Sequence, residues 1–206
     1  MLVTIAICGL RRRKLPSLSS ASATSQSPPP SRALAPAAIA SAFVNFQGVG
    51  RRFNLLGELR FAAGRALLVD DYGHHPRELA AVFAAARGGW AEKRLVVAFQ
   101  PHRYTRTHDL FDDFAAVLSS ADAVVLTDVY PAGESPIAGA DAKSLARAIR
   151  ARGRLDPVLA GGAKDLPKVL ADVLLDGDLV LVMGAGDIGR VAADMATLSM
   201  NGVPLA

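Results

Sequence analysis

A chain of 206 residues, 51% hydrophobic and 20% charged, has enough apolar side chains for one sizeable core, or for one domain and a piece of another. Its net charge of +4 does not mark a nucleic-acid binder: residues 1–36 hold Arg11, Arg12, Arg13, Lys14 and Arg32 and no acid, and the other 18 basic residues meet 19 acidic ones. The single cysteine, Cys8, excludes an intrachain disulfide and a cysteine-built metal site, and it agrees with a reducing compartment such as the cytoplasm.

The head of the chain is unlike the rest. "MLVTIAICGL" is apolar over ten residues, too short to span a bilayer, so no membrane partner is expected. "RRRK" follows this run, whereas a secretory signal places its charges first. The Ser- and Pro-rich "LPSLSSASATSQSPPPS" cannot bury enough apolar surface to offset its ordering entropy. Residues 1–36 are read as a disordered or spurious leader, with a transit peptide as the alternative.

From residue 59 the pattern is regular. "ELRFAA" (58–63) is a candidate edge strand, and "ALLVD" (66–70) is a short buried one. Pro76 opens a helix that Gly88 and Gly89 close. "RLVVAFQ" (94–100) is the next strand, and Leu110, Phe111, Phe114, Val117 and Leu118 give helical spacing over 107–121. Further strands are predicted at 123–129, 156–160 and 178–186, and further helices at 141–153, 164–175 and 188–198. Repeated β-α units of this length predict an α/β, Rossmann-like fold: a mostly parallel sheet with helices on both faces.

In such sheets ligands sit outside the carboxyl ends of the strands. Four polar clusters fall there: "DDYGHHP" (70–76), "QPHRYTRT" (100–107), "VYPAGE" (129–134) and "GAGDIG" (184–189). The first is compatible with a tight turn whose Asp caps the helix at Pro76. His74 and His75 point different ways, which argues against a metal site. His102, Arg103 and Arg106 put planar guanidinium forks and an imidazole in one loop that opens a helix, a setting for a carboxylate or phosphate. "GAGDIG" matches G-x-G-x-x-G but lacks the further strand and acid of a dinucleotide fingerprint, so an oxidoreductase rests on it weakly and close packing fits better. No G-x-x-x-x-G-K-[ST] occurs.

"FQGVGRRFNLLGE" (46–58), "DDYGHHP", "FQPHRYTRT" (99–107), "VYPAGESPI" (129–137) and "GAGDIG" resemble, in order and spacing, motifs of the Mur ligase family over residues 37–198. The resemblance implies three divisions: the leader at 1–36, a remnant of a central ATPase domain at 37–58, and a C-terminal amino-acid-binding domain at 59–206. It implies ATP-dependent joining of L-alanine to UDP-N-acetylmuramate, with ATP and Mg2+ bound mostly by a central domain. It places Asp71 at the nucleotide. Tyr72, His74, His102, Arg103 and Arg106 then form the L-alanine pocket, with His74 and His102 as the catalytic imidazoles and no metal ligand. A complementary N-terminal fragment is an implied partner. The alternative is a non-catalytic α/β module that keeps the amino-acid pocket.

Overall fold

A computed structural model describes residues 50–205, so the expected leader, Cys8 and most of the expected central-domain remnant lie outside the described residues. In chain order the elements are β1 (Asn54–Phe61), β2 (Gly64–Asp71), α1 (Pro76–Gly89), β3 (Leu95–Phe99), α2 (Tyr104–Asp109), α3 (Phe111–Leu118), β4 (Ala123–Thr127), α4 (Ala142–Ala151), β5 (Val158–Gly161), a 3-10 turn (Ala163–Asp165), α5 (Leu166–Val173), β6 (Leu179–Met183) and α6 (Ile188–Met200).

The strands form one sheet in the order β1-β2-β6-β3-β4-β5. β2, β6, β3, β4 and β5 pair in parallel, and β1 alone is antiparallel, on β2. The runs "LVVAF" and "LVLVM" are buried at every position because β3 and β6 are covered on both faces. Successive side chains point to opposite faces, so each strand feeds two cores. Leu95, Val97 and Phe99 pack with Leu79 and Phe83 of α1, Phe114 and Leu118 of α3, and Leu145 and Ile149 of α4. Val96 and Ala98 pack with Leu166 and Leu170 of α5 and Ile188, Ala192 and Met195 of α6. The predicted two-sided parallel sheet is therefore observed.

Three details differ from expectation. The edge strand starts at Asn54 and is antiparallel, and its register shifts between Leu55 and Gly57, which breaks the alternation a sequence reader looks for. The expected boundary between residues 58 and 59 falls inside this strand. The helix expected over 107–121 is two helices. Leu110 leaves helical geometry at φ −114°, ψ 24°, and its N–H closes α2 on the carbonyls of Arg106 and His108. Neither Gly nor Pro marks that break, although Asp112 and Asp113 sit in the first turn of α3, where a helix start favours acids. At α1 the cap is His75 rather than an aspartate: its Nδ1 accepts from Arg77 N–H, and Glu78 reaches back to the His75 N–H.

Candidate functional site

β2, β3, β4 and β6 end on the same side of the sheet, and the four polar clusters lie in the loops that follow them. At the end of β2, Asp70 and Asp71 are both buried. Asp71 Oδ2 accepts from Phe53 N–H at 2.7 Å and its Oδ1 accepts from Gly73 N–H at 2.6 Å, so its carboxylate shapes the turn. Asp70 pairs with Arg51, whose Nε lies 3.0 Å from Oδ2. Burial pushes the Asp70 carboxyl above its usual range, and the Arg51 guanidinium partly offsets this.

Arg51 does more than pair. Its Nη2 donates to Gly184 O at 2.6 Å, its guanidinium lies 5.2 Å from the Tyr72 ring centre, and its backbone carbonyl accepts from Tyr72 N–H at 2.7 Å. A Cβ on Gly189 would run into this guanidinium, which explains the last glycine of "GAGDIG". A Cβ on Gly186 would lie 2.7 Å from the Tyr130 ring, and against Gln100 Oε1. Gln100 donates to Asp187 Oδ1 at 2.7 Å and accepts from Ile188 N–H at 3.2 Å. A side chain thus occupies the start of α6, where a dinucleotide fold places its pyrophosphate. The close-packing reading of "GAGDIG" accounts for all three contacts.

The loop after β3 is shaped by the loop after β4. Tyr130 N–H donates to Pro101 O and Arg103 N–H to Tyr130 O, both at 2.8 Å, which makes a short parallel bridge between His102 and Tyr130. Arg103, at φ 72°, turns the chain into α2. Glu134 then accepts from Thr105 N–H at 3.0 Å and Thr105 Oγ1 at 2.8 Å, and lies 3.6 Å from Arg103 Nη1. The backbone donor expected to face an anionic ligand is therefore taken by a carboxylate of the protein itself. The Thr105 N–H in turn holds the Glu134 carboxyl below its usual range.

Tyr72, His74, His102 and Tyr130 form one aromatic row. Ring centres are 5.3 Å apart for Tyr72–His74, 5.7 Å for His74–His102 and 5.4 Å for His102–Tyr130, the last pair nearly parallel at 10°. Arg106 Nη1 lies 3.2 Å from both the Nδ1 and the carbonyl of His102. Burial, then the charges of Arg106, His74 and Arg103, lower the His102 pKa, while Glu134 pulls it up. His102 is thus a neutral base near neutral pH. Glu78 anchors the other end, accepting from the N–H groups of His74 and His75.

Tyr72, His74, His102, Arg103 and Arg106 are therefore placed in one cluster, with Asp71 buried beside it. Sequence reading missed Arg51, Gln100, Tyr130 and Glu134 as named contributors. Each lay within or beside a quoted motif, but its partner is distant in sequence and was invisible without the sheet order. Among the described residues no group of three His, Cys, Asp or Glu is placed to hold a metal ion. No described helix is long and apolar enough to cross a membrane.

A parallel α/β sheet with a polar rim at its carboxyl edge defines a Rossmann-like domain. Residues 51–186 match the family described as "Mur ligase, glutamate ligase domain", and the chain belongs to that family. The UDP-N-acetylmuramate–L-alanine ligase of Stenotrophomonas maltophilia is 68% identical over 170 residues, covering 82% of this chain and 36% of that protein. The ligase of the same name from Xanthomonas campestris is 66% identical over 172 residues, covering 83% of this chain and again 36% of the relative. The chain thus spans roughly a third of the length of these curated relatives. Among solved structures, the UDP-N-acetylmuramate–alanine ligase of Thermotoga maritima superposes with a TM-score of 0.60 at 26% identity, over 81% of this chain and 34% of that one.

Proposed function

We propose that this chain is the amino-acid-binding part of a UDP-N-acetylmuramate–L-alanine ligase, an ATP-dependent amide ligase of cytoplasmic peptidoglycan synthesis. The observation that carries the reading is the meeting of His74 and His102, from two loops, with Arg106 of α2 in one aromatic-walled cluster. In the reaction, ATP phosphorylates the lactyl carboxylate of UDP-N-acetylmuramate, the alanine amine attacks the acyl phosphate, and phosphate leaves as the amide forms. Arg106, with Arg103 beside it on the rim, meets the alanine carboxylate through charge-assisted hydrogen bonds. Neutral His102, whose Nδ1 is released as Arg106 turns to the alanine carboxylate, accepts with His74 beside it the proton that the alanine ammonium must lose before it attacks. Tyr72 and Tyr130 wall the pocket. Asp71 serves the nucleotide side by fixing the Gly73 turn and the segment at Phe53, since both its oxygens are committed to backbone.

The Mg2+ of such a ligase finds no cluster to hold it among the described residues, and the 206 residues contain no phosphate-cradling G-x-x-x-x-G-K-[ST]. These 206 residues by themselves therefore bind the amino acid without ligating it, and ligation needs that loop from outside them. The test follows the imidazole proton resonances of the four histidines. L-alanine is expected to shift His74 and His102 and to leave His108 unmoved. With ATP, Mg2+, UDP-N-acetylmuramate and L-alanine together, phosphate release is expected to stay at the blank. No shift at either histidine overturns the pocket, and release above the blank overturns the division between binding and ligation.

A further inference from the structure

The two rim arginines stand in different surroundings. Arg106 is only partly exposed and leans on His102, and among the described residues its Nε and Nη2 have no protein acceptor. Arg103 is half exposed and faces the Glu134 carboxylate. Glu134 also grips both donors of Thr105, the residue that follows Tyr104 in the first turn of α2. Ala132 at φ 49° and Gly133 at φ 86° turn the β4–α4 loop so that Glu134 arrives at this position. Such a turn is costly for alanine, which indicates that the placement of Glu134 is maintained against a backbone penalty.

We propose that Glu134 is a positioning residue of the amino-acid pocket: it fixes the first turn of α2 and cancels the charge of Arg103, so that Arg106 is the guanidinium that meets the substrate carboxylate and the pocket suits an amino acid with one carboxylate rather than two. This rests on the pocket reading above and adds to it the class of substrate admitted. With both arginines uncompensated, the rim would offer a second cationic fork to a second carboxylate, and aspartate or glutamate would gain over alanine. With Glu134 in place, a second carboxylate meets a like charge beside Arg103. The same carboxylate lies among the charges around His102, which are Arg106 and Arg103 on its own loop and helix, His74 from the β2–α1 loop, and Glu134 from the β4–α4 loop.

The test compares the 206-residue chain with its Glu134→Gln and Glu134→Asp variants, following imidazole resonances against pH and against added L-alanine or L-aspartate. Glu134→Gln keeps the shape of the side chain and removes its charge. The His102 midpoint is expected to fall below its parental value, and L-aspartate is expected to gain about threefold over L-alanine, the scale of a partly exposed charge pair. Glu134→Asp, which keeps the charge, is expected to restore the midpoint and most of the preference. A parental chain that shifts with L-alanine, joined to a Glu134→Gln variant with unchanged midpoint and unchanged preference, overturns the role of Glu134 and leaves the pocket standing. A parental chain whose His74 and His102 ignore L-alanine overturns the pocket, and this proposal with it. Thermal unfolding of each variant, with His108 as the internal reference, separates both results from a general loss of fold.

Discussion

Both ends of the sheet carry charged groups, and they use them differently. At the amino end of the parallel strands, Asp178 is buried and accepts from Leu175 N–H at 2.8 Å and Arg94 Nη1 at 3.0 Å. Asp122 accepts from Leu95 N–H at 2.7 Å and pairs with Arg87 at 2.8 Å, and Lys93 donates to Gly177 O. Each of these charges closes on backbone or on an opposite charge of the same end. At the carboxyl end, Arg106 leans on a neutral imidazole, and the aromatic row is open to solvent at both Tyr72 and Tyr130. One end is a clasp that satisfies itself, and the other holds groups in place for something that arrives.

The comparison breaks if the clasp proves dispensable. Asp178→Ala removes two hydrogen bonds from a buried position and strands the Arg94 charge, so unfolding free energy is expected to fall by about 2–3 kcal/mol. The L-alanine-dependent shifts at His102 should survive in the fraction that stays folded. Denaturant titration measures the first and imidazole resonances the second. The reverse pattern is expected for Arg106→Ala: L-alanine affinity falls about tenfold or more, the scale of a charge-assisted hydrogen bond, with little change in stability. Equal losses of binding in both variants would erase the distinction between the two ends.

Gln100 sharpens the comparison, because it lies at the carboxyl end yet does structural work. Gln100→Ala frees Ile188 N–H and Asp187 at the start of α6, and a stability loss of about 1–2 kcal/mol is expected. The smallest effect is in pH dependence. The folded pKa of His102 lies below the ordinary imidazole value of 6.5. Between that folded value and 6.5 the unfolded chain binds more protons than the folded one. Stability from His102 is therefore complete above this window and declines as pH falls through it. A stability profile of the His102→Asn variant should lack that slope while keeping the acid loss below about pH 4.5, where Glu78, whose carboxyl is held low, takes up its proton.

Much of the sheet was legible because buried parallel strands write themselves as apolar runs between glycines, and every run from "ALLVD" to "DLVLV" became a strand. The part that was not legible is the part made by contacts across the sequence. Nothing local announces that α2 begins at Tyr104, since its start is held by Glu134, 29 positions further from Thr105. The histidine row could be suspected from "GHHP" and "QPHR", but only the neighbouring order β6-β3-β4 brings Tyr130 over His102 and Gln100 to the start of α6. The turn compatible with an aspartate cap is capped by His75 for a related reason: Asp71 is spent on Phe53 and Gly73.

Arg51 has a mechanical consequence. It stands three residues before β1, yet its side chain is fastened to Asp70, Gly184 and the face of Tyr72, all at the carboxyl rim. A pull on the backbone at Gly50 therefore reaches the end of β2 through Asp70, and the loop after β6 through Gly184, before it runs along β1. The load path runs through the Tyr72 ring to His74 and through Gly184 to the start of α6. A displacement of Arg51 is thus felt first at the rim, and the rest of the sheet serves as its mount.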